Sequence, residues 1–355
     1  MTLHVLKPGL LTTVQDLGRH GYQKDGVVVG GAMDAHALRL ANLLVGNAEQ
    51  AAGLEMTLVG ATLRFDQAAL IALGGGDLTP TVNGQPVPLW RPVYLPADSV
   101  LELKAARTGC RAYLAIAGGL DLPPVLGSRS TYLRGGFGGL EGRALQEGDT
   151  LQSSTPSPTA QEQMQRLQAR LAKEDLPFAT PAWSVSQDLL PAYSSHPIIR
   201  VMRGSEFDKF TSASHEHFFQ TAFRVTPQSD RMGYRLDGGT KQPALQLREP
   251  LELISEAVTM GTIQVPAGGD PILLMADRQT TGGYPKIAQV ARVDLPLLAQ
   301  VMPGADVRFV EVSVAKAQEL LLRREADVAR FKQGLRLNSH ADRSSSQRSE
   351  ATCIA

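Results

Sequence analysis

The chain reads as mainly β, two tandem copies of one β-barrel-like unit with a few helices, and three observations predict this. Its 34 glycines and 22 prolines are spread through 355 residues as turn punctuation. The intervals between them hold short β-branched and apolar runs of strand length. The halves also repeat each other: EMTLVG from Glu55 and EAVTMG from Glu256 share one Glu-to-Gly spacing, and Met33 and Met232 precede those glutamates by 22 and 24 residues. Each half then closes on a glycine-containing turn into a strand, GDTLQ from Gly148 and PGADVRF from Pro303.

Taken in order, the first clear element is a helix from Asp34 to Val45, with Asp34 as its N-cap and Leu38, Ala41, Leu44 and Val45 on one face. Strands are expected at 61–65, 68–73, 100–104 and 111–117, completing a first domain over 1–155. From 156 to 195 the composition turns to Ser, Thr, Pro, Gln and Ala, a linker carrying one polar helix from Ala160 to Lys173. A second domain, 196–313, holds expected strands at 198–202, 251–255, 262–265, 272–276, 287–293 and 307–312. An amphipathic helix over 314–333 follows, and the polar tail 334–355 lacks the apolar surface to fold.

Composition removes several function classes. With 35 basic and 35 acidic residues there is no net field to attract nucleic acid or an anionic membrane. The longest apolar run, Ala68 to Leu73, is far short of the roughly 20 residues that span a bilayer, so a soluble, cytoplasmic protein is expected. Cys110 and Cys353 suggest neither a disulfide framework nor a metal site. GxxxxGK[ST] and GxSxG are absent, and RGGFGGLEG from Arg134 places Glu141 where a dinucleotide loop has its third glycine, so it reads as a hairpin tip. His215 and His217 sit in a helical context where i and i+2 diverge, and no metal is expected.

The stretch ADRQTTGGYPKIAQV, Ala276 to Val290, is where chemistry is concentrated. An apolar strand breaks into Asp277, Arg278 and Gln279, and charges in such a place must pair, hydrogen-bond or face a pocket. Thr280, Thr281, Gly282 and Gly283 offer hydroxyls and successive backbone N–H groups in a glycine turn of the kind that receives oxyanions, with Tyr284 and Lys286 beside them. An ordinary loop closed by an Asp277–Arg278 ion pair fits the same residues. A second constellation, SDRMGYRLDG from Ser229, sets Arg231 and Tyr234 among turn residues; it fits a carboxylate site or a solvated turn. TTVQDLGRHGY, Thr12 to Tyr22, repeats that inventory in the first half, and recurrence favours a site.

Taken together, LLTTVQDLGRHGY, GAMDAHALRLANLLVGN, GLEMTLVGATLRF, SDRMGYRL, TIQVPAGGDPILLMADRQTTGGYPKIAQV and DLPLLAQVMPGADVRF resemble the allophanate hydrolase subunit 2 family, also called the biotin-dependent carboxyltransferase family, from about Leu3 to Val312. The resemblance implies two cyclophilin-like β-barrel domains in tandem. It also implies a smaller partner, the B-type subunit. In the oxoprolinase members these join an A-type subunit to open 5-oxo-L-proline to L-glutamate with ATP; in the urea carboxylase members the same pair moves carboxylate from carboxybiotin to urea. Some members are described as antagonists of a kinase inhibitor. With no biotin-carboxylase module or biotinyl-lysine motif in the chain, the oxoprolinase branch, as its C subunit, is the expected one, ATP being used by the complex and biotin only under the alternative.

Both chemistries act on a planar amide or ureido group. They need donors for a carbonyl oxygen gaining charge, a base, and a cation for a carboxylate or phosphate. The expected catalytic residues are Asp277, Arg278, Tyr284 and Lys286; Arg231, Tyr234, Gln264, Gln279, Thr280, Thr281, Gly282 and Gly283 are expected to bind substrate. Glu55 and Glu256 are expected to be structural, each bonding a turn.

Overall fold

Alternation along three neighbouring strands decides how the first half faces the second. In the antiparallel set Leu11–Gln15, Gly53–Thr57 and Thr108–Ile116, Leu54 lies opposite Leu114 and Met56 opposite Ala112, all four in the first hydrophobic core. The intervening Glu55, Arg111 and Tyr113 therefore point to the other face of the sheet. That face is buried too, because a helix and the second half cover it.

The computed structural model describes the backbone of residues 1–173, 176–239 and 244–352, and side chains as far as Leu337. The first half is two antiparallel sheets around one core. Ala69–Asp77 and Pro92–Leu95 complete the five-stranded sheet; Thr150–Gln152, Thr2–Lys7, Thr62–Phe65, Val100–Glu102, Thr81–Val82 and Gln85–Pro86 form the six-stranded one in that order. The second half is a closed barrel. Its strands run Ile198–Arg203, Lys286–Val290, Thr262–Gln264, Ile272–Leu274, Gly233–Asp237, Phe223–Val225 and Asp306–Glu311, and the last closes on the first through the barrel's one parallel pairing. A separate ribbon pairs Glu256–Ala257 with Thr281–Gly282.

Helix α1 (Ala35–Leu44) starts where the Asp34 carboxylate accepts from Ala37 N at 2.9 Å. It lies on the five-stranded sheet with Ala37, Leu38, Leu40 and Ala41 fully buried. Helix α2 (Pro158–Leu171) has Ser157 as cap and proline in its first turn. Beyond it the chain pins itself to the first half: Tyr94 and Ala179 exchange backbone hydrogen bonds, and Val185 N donates to Trp90 O. In the barrel, α3 (Ser212–Gln220) buries Phe218, which stacks on Phe309 with centroids 4.8 Å apart. The short α4 (Leu295–Ala299) delivers Gln300 to the seam between the halves.

Helix α5 (Val314–Thr352) spans both halves. Glu325 accepts from Arg39, Lys332 donates to Glu49 at 3.0 Å, and Arg324 donates to Val293 O at 2.9 Å. The segment expected to be an unfolded tail, 334–355, is thus helical backbone as far as Thr352, while Cys353 lies outside the described residues. Among the described residues no helix is long and apolar enough to cross a membrane.

One expected strand is absent. Residues 251–255 alternate like a strand but have no core to face, and Ile254 is 89% exposed; pairing begins only at Glu256. The SASHEHFF segment is helical, as its composition suggests.

Candidate functional site

The polar stretch after Ala276 begins at a zipped seam. Strand Ile272–Leu274 continues through buried Met275 and Ala276, and Met275 N and Asp277 N donate to Met232 O and Arg231 O at 2.9 and 2.8 Å. This draws together the two constellations of the second half.

At the centre lies Arg231, 6% exposed. Its Nε donates to Asp277 Oδ2 at 2.9 Å and its Nη2 to Asp277 Oδ1 at 3.0 Å, while Nη2 also reaches Gly31 O at 2.6 Å. Its Nη1 donates to Glu55 Oε1 of the other half. Glu55 in turn accepts from Tyr113 Oη and Met33 N, both at 2.8 Å. Burial acts against the Arg231 charge, but Glu55 and Asp277 outweigh it and hold its pKa above the ordinary arginine value.

A second layer lies behind this one. Arg111 Nη1 donates to Tyr234 Oη at 2.8 Å and to Ala299 O at 2.6 Å. Gln300 Oε1 accepts from Cys110 N and Arg111 N, and its Nε2 donates to Asp34 Oδ2 and Arg111 O. Tyr193, from the linker, donates to the same Asp34 carboxylate at 2.6 Å. Burial pushes Tyr234 up to about 12 against the opposing pull of the Arg111 charge, so its phenol stays protonated.

The geometry departs from expectation here. Arg231, Tyr234 and Asp277, read as substrate or catalytic groups, have their polar atoms engaged inside the protein, and Asp277 pairs with Arg231 rather than with its neighbour Arg278. Glu55, read as bonding a turn, is the anion that joins the halves, and its repeat counterpart Glu256 is exposed and receives Lys286 at 2.9 Å.

The rest of the stretch lies on the rim of this network. Arg278 is half-buried and donates weakly to Met275 O and Ala276 O at 3.4 Å; its buried Nε makes no hydrogen bond, and no described carboxylate pairs with it. Burial pushes its pKa down, with Asp277 only partly opposing. Lys286 lies between Glu256 and Glu206, the latter at 3.5 Å; burial works against its charge, and the two glutamates raise its pKa on balance. Tyr284 is half exposed, and Gln279, Thr280 and Thr281 line the outer surface.

Gly282 and Gly283 do not make the expected anion-receiving turn, because neither has a positive φ. Gly282 is strand, paired with Glu256. Space is what limits a side chain at Gly282: a Cβ there would lie 2.6 Å from Gln264 Nε2, which would have to move. Gln264 is buried beneath the loop and donates to Tyr284 O at 3.3 Å.

Sequence reading alone missed the first-half partners. Arg111 is visible as a charge heading an apolar strand, and Arg19 as part of a repeated inventory, yet Arg111 bonds across the seam to Tyr234 and Ala299 O, and Arg19 to carbonyls more than a hundred residues away in its own half. Arg19, 1% exposed, donates to Val125 O and Ser130 O at 2.9 Å, and its guanidinium lies 4.8 Å from the centroid of the Phe137 ring.

The chain matches the model of the family described as carboxyltransferase domain, subdomain A and B, over residues 25–311. It is similar to the C subunit of 5-oxoprolinase from Escherichia coli strain K12, 39% identical over 89% of this chain and 93% of that protein. It is also similar to the C subunit of 5-oxoprolinase from Haemophilus influenzae, 38% identical over 88% and 92%. Among solved structures it superposes on Kluyveromyces lactis urea carboxylase with a TM-score of 0.81 and 32% identity, covering 94% of this chain and 29% of that one. With a match across most of its length and relatives aligned almost end to end, the chain belongs to the carboxyltransferase domain family, subdomain A and B.

Proposed function

We propose that the chain is the C subunit of a cytoplasmic, ATP-dependent 5-oxoprolinase, acting with the A and B subunits to open 5-oxo-L-proline to L-glutamate. The observation that carries this is the 39% identity extending over 93% of a protein named for that role, whereas the urea carboxylase likeness covers 29% of a much longer chain.

The chain's part is played at the rim. Opening a cyclic amide puts negative charge on its carbonyl oxygen, and donors fixed in advance lower that barrier. Thr280 and Thr281 hydroxyls supply donors, and the small Gly282 and Gly283 let the ligand approach the ribbon above Gln264. Arg278 meets the substrate carboxylate, Gln279 and Tyr284 orient it, and Lys286 sets local charge between its two glutamates. Arg231, Tyr234 and Asp277 act by position, holding the base of the loop. ATP is consumed by the complex, and the groups of this chain that suit a phosphoryl oxygen are Arg278 and the threonine hydroxyls.

The urea carboxylase fold likeness favours a second reading, a carboxyltransferase component of a biotin-dependent enzyme. Mixing the purified chain with the A and B subunits, 5-oxo-L-proline and ATP separates the two. ATP-dependent glutamate release that avidin leaves untouched supports the first; avidin-sensitive carboxylation of urea, without glutamate release, replaces it with the second.

A further inference from the structure

Three arginines near the seam, Arg19 buried, Arg278 half-buried and Arg134 exposed, have no carboxylate ion-pair partner among the described residues. Arg19, from the first half, lies against Phe137. Phe137 pairs with Tyr132, closing the turn that carries Arg134. Arg134 reaches across to the Met232 sulfur in the second half. Met232 O accepts from Met275 N at 2.9 Å, and Arg278 bends back onto Met275 O and Ala276 O. A relay of ring, sulfur and backbone contacts therefore links the three arginine residues across the boundary between the halves.

Three nearby acids have hydrogen-bond partners of their own. Asp16 accepts from Ser128 Oγ, Ser130 Oγ, Arg129 N and Gly18 N. Asp277 is held by both edges of Arg231, and Asp230 Oδ1 accepts from Met232 N and Gly233 N. Two guanidinium nitrogens in the group, Arg19 Nη1 and Arg278 Nε, are buried with no hydrogen-bond partner among the described residues. Leaving a buried charged donor unmatched is costly, and the charges of Asp16 and Asp277 only partly offset the burial of Arg19 and Arg278. The adjoining Arg231, equally buried, is matched on every edge. The hairpin also leaves room for the guanidinium, since Gly138 has φ +74 and a Cβ there would lie 2.9 Å from Arg19 Nη2.

We infer that Arg19, Arg134 and Arg278 form an oxyanion-binding subsite shared by the two halves, its ligand a planar carboxylate or an inorganic phosphate. Two arginines facing one such group match its oxygens edge to edge, which a point charge does not. The inference extends the proposed function, since the carboxylate of 5-oxo-L-proline is one source of the anion and the phosphate released from ATP is the other.

The test is calorimetric titration of the purified full chain, with no partner protein present, with inorganic phosphate and separately with 5-oxo-L-proline. Wild type, Arg134→Gln and Arg278→Gln are compared. Arg134 is exposed and its side chain bonds to Met232, so its variant keeps the fold, which an unchanged Tm checks. Saturable binding of at least one anion, weakened about tenfold or more in both variants and weakened by added salt, supports the subsite. Which anion binds identifies the source. Absence of binding to both anions in wild type, or variants that bind as wild type does, overturns it. Glutamate release by the assembled complex is scored separately, so loss of the subsite and loss of the functional reading give different results.

Discussion

Arg231 lies beneath the loop that begins at Asp277, and Arg278 lies on it, and the two guanidinium groups meet opposite surroundings. The first is matched by two carboxylates and a carbonyl, and its pKa is raised despite burial. The second is half-buried beside carbonyls 3.4 Å away, and its pKa is lowered because burial is not offset. One protein has thus placed the same side chain once as a closed joint and once as an open valence. A residue type in a motif does not tell which; the presence or absence of an acid from the other half does.

Replacing Arg231 breaks the joint and carries the largest expected effect. Arg231→Met leaves Asp277 buried without its ion-pair partner and Glu55 with only the more distant Arg111 Nε at 4.0 Å, and breaking such a pair costs about 3–5 kcal/mol. Urea unfolding should show that loss, with Glu55→Gln less affected because Tyr113 and Met33 N still donate to the amide oxygen. A loss below about 1 kcal/mol in Arg231→Met means that the network adds nothing to stability.

Lys286 tests the open side from the other direction. Its ammonium already has Glu256 and Glu206, so removing it changes local charge more than packing. Lys286→Met should lower glutamate release by the assembled complex about tenfold or more, a change of about 1.4 kcal/mol in barrier. Stability should move by less than about 1 kcal/mol, as for partly exposed pairs. Full activity in this variant removes Lys286 from the mechanism.

Gly282→Ala is smaller again. The added Cβ meets the Gln264 amide at 2.6 Å, and that side chain must swing away and give up its bond to Tyr284 O. A cost near 1 kcal/mol is expected, the low end for overpacking because a side-chain end can move. Thermal unfolding together with KM for 5-oxo-L-proline checks it: the KM should rise if the ribbon above Gln264 borders the substrate, and an unchanged KM detaches the glycine from binding.

How far the sequence carried depended on where each residue's partner lies. Helix α1 was legible because cap and apolar stripe are local, and so were the strands around 68–73, an apolar run, and around 61–65 and 307–312, where apolar residues alternate with polar ones. Leu11–Gln15 was not, since Thr12, Thr13 and Gln15 read as polar yet are buried, Thr13 and Gln15 on the face that carries Glu55 and Thr12 on the opposite one. The loop at 277–286 was found, but its internal pairing was not. Arg231 and Glu55 stand 176 residues apart, and no spacing rule joins them. The repeat pointed to both glutamates without showing that one would be buried and the other exposed. Even the repeated methionines cross the seam, Met33 entering the core of the barrel and Met232 meeting Arg134 of the first half.

The weakest expected effect comes from His36, on the far side of the seam, where the comparison between matched and unmatched groups concerns one ring. Leu189 O can only accept, so Nε2, 2.9 Å away, carries the proton, and buried Nδ1 has no partner. Burial lowers the pKa of the ring; the Leu189 bond and Asp34 oppose this, and Arg324 and Arg39 reinforce it. Because the folded pKa lies below the unfolded value of 6.5, the unfolded chain binds the extra proton between the two. The stability from neutral His36 is therefore complete above about pH 6.5 and lost as pH falls below it. Asp34, whose pKa burial raises, contributes the opposite slope, beginning above the ordinary carboxylate range. Urea midpoints at about pH 7.5 and 5.5 should thus fall on acidification in wild type and fall less in His36→Gln, which keeps a donor for Leu189 O without a titrating ring. An equal fall in both proteins assigns the acid sensitivity to other groups, and the unmatched Nδ1 is then no burden on the fold.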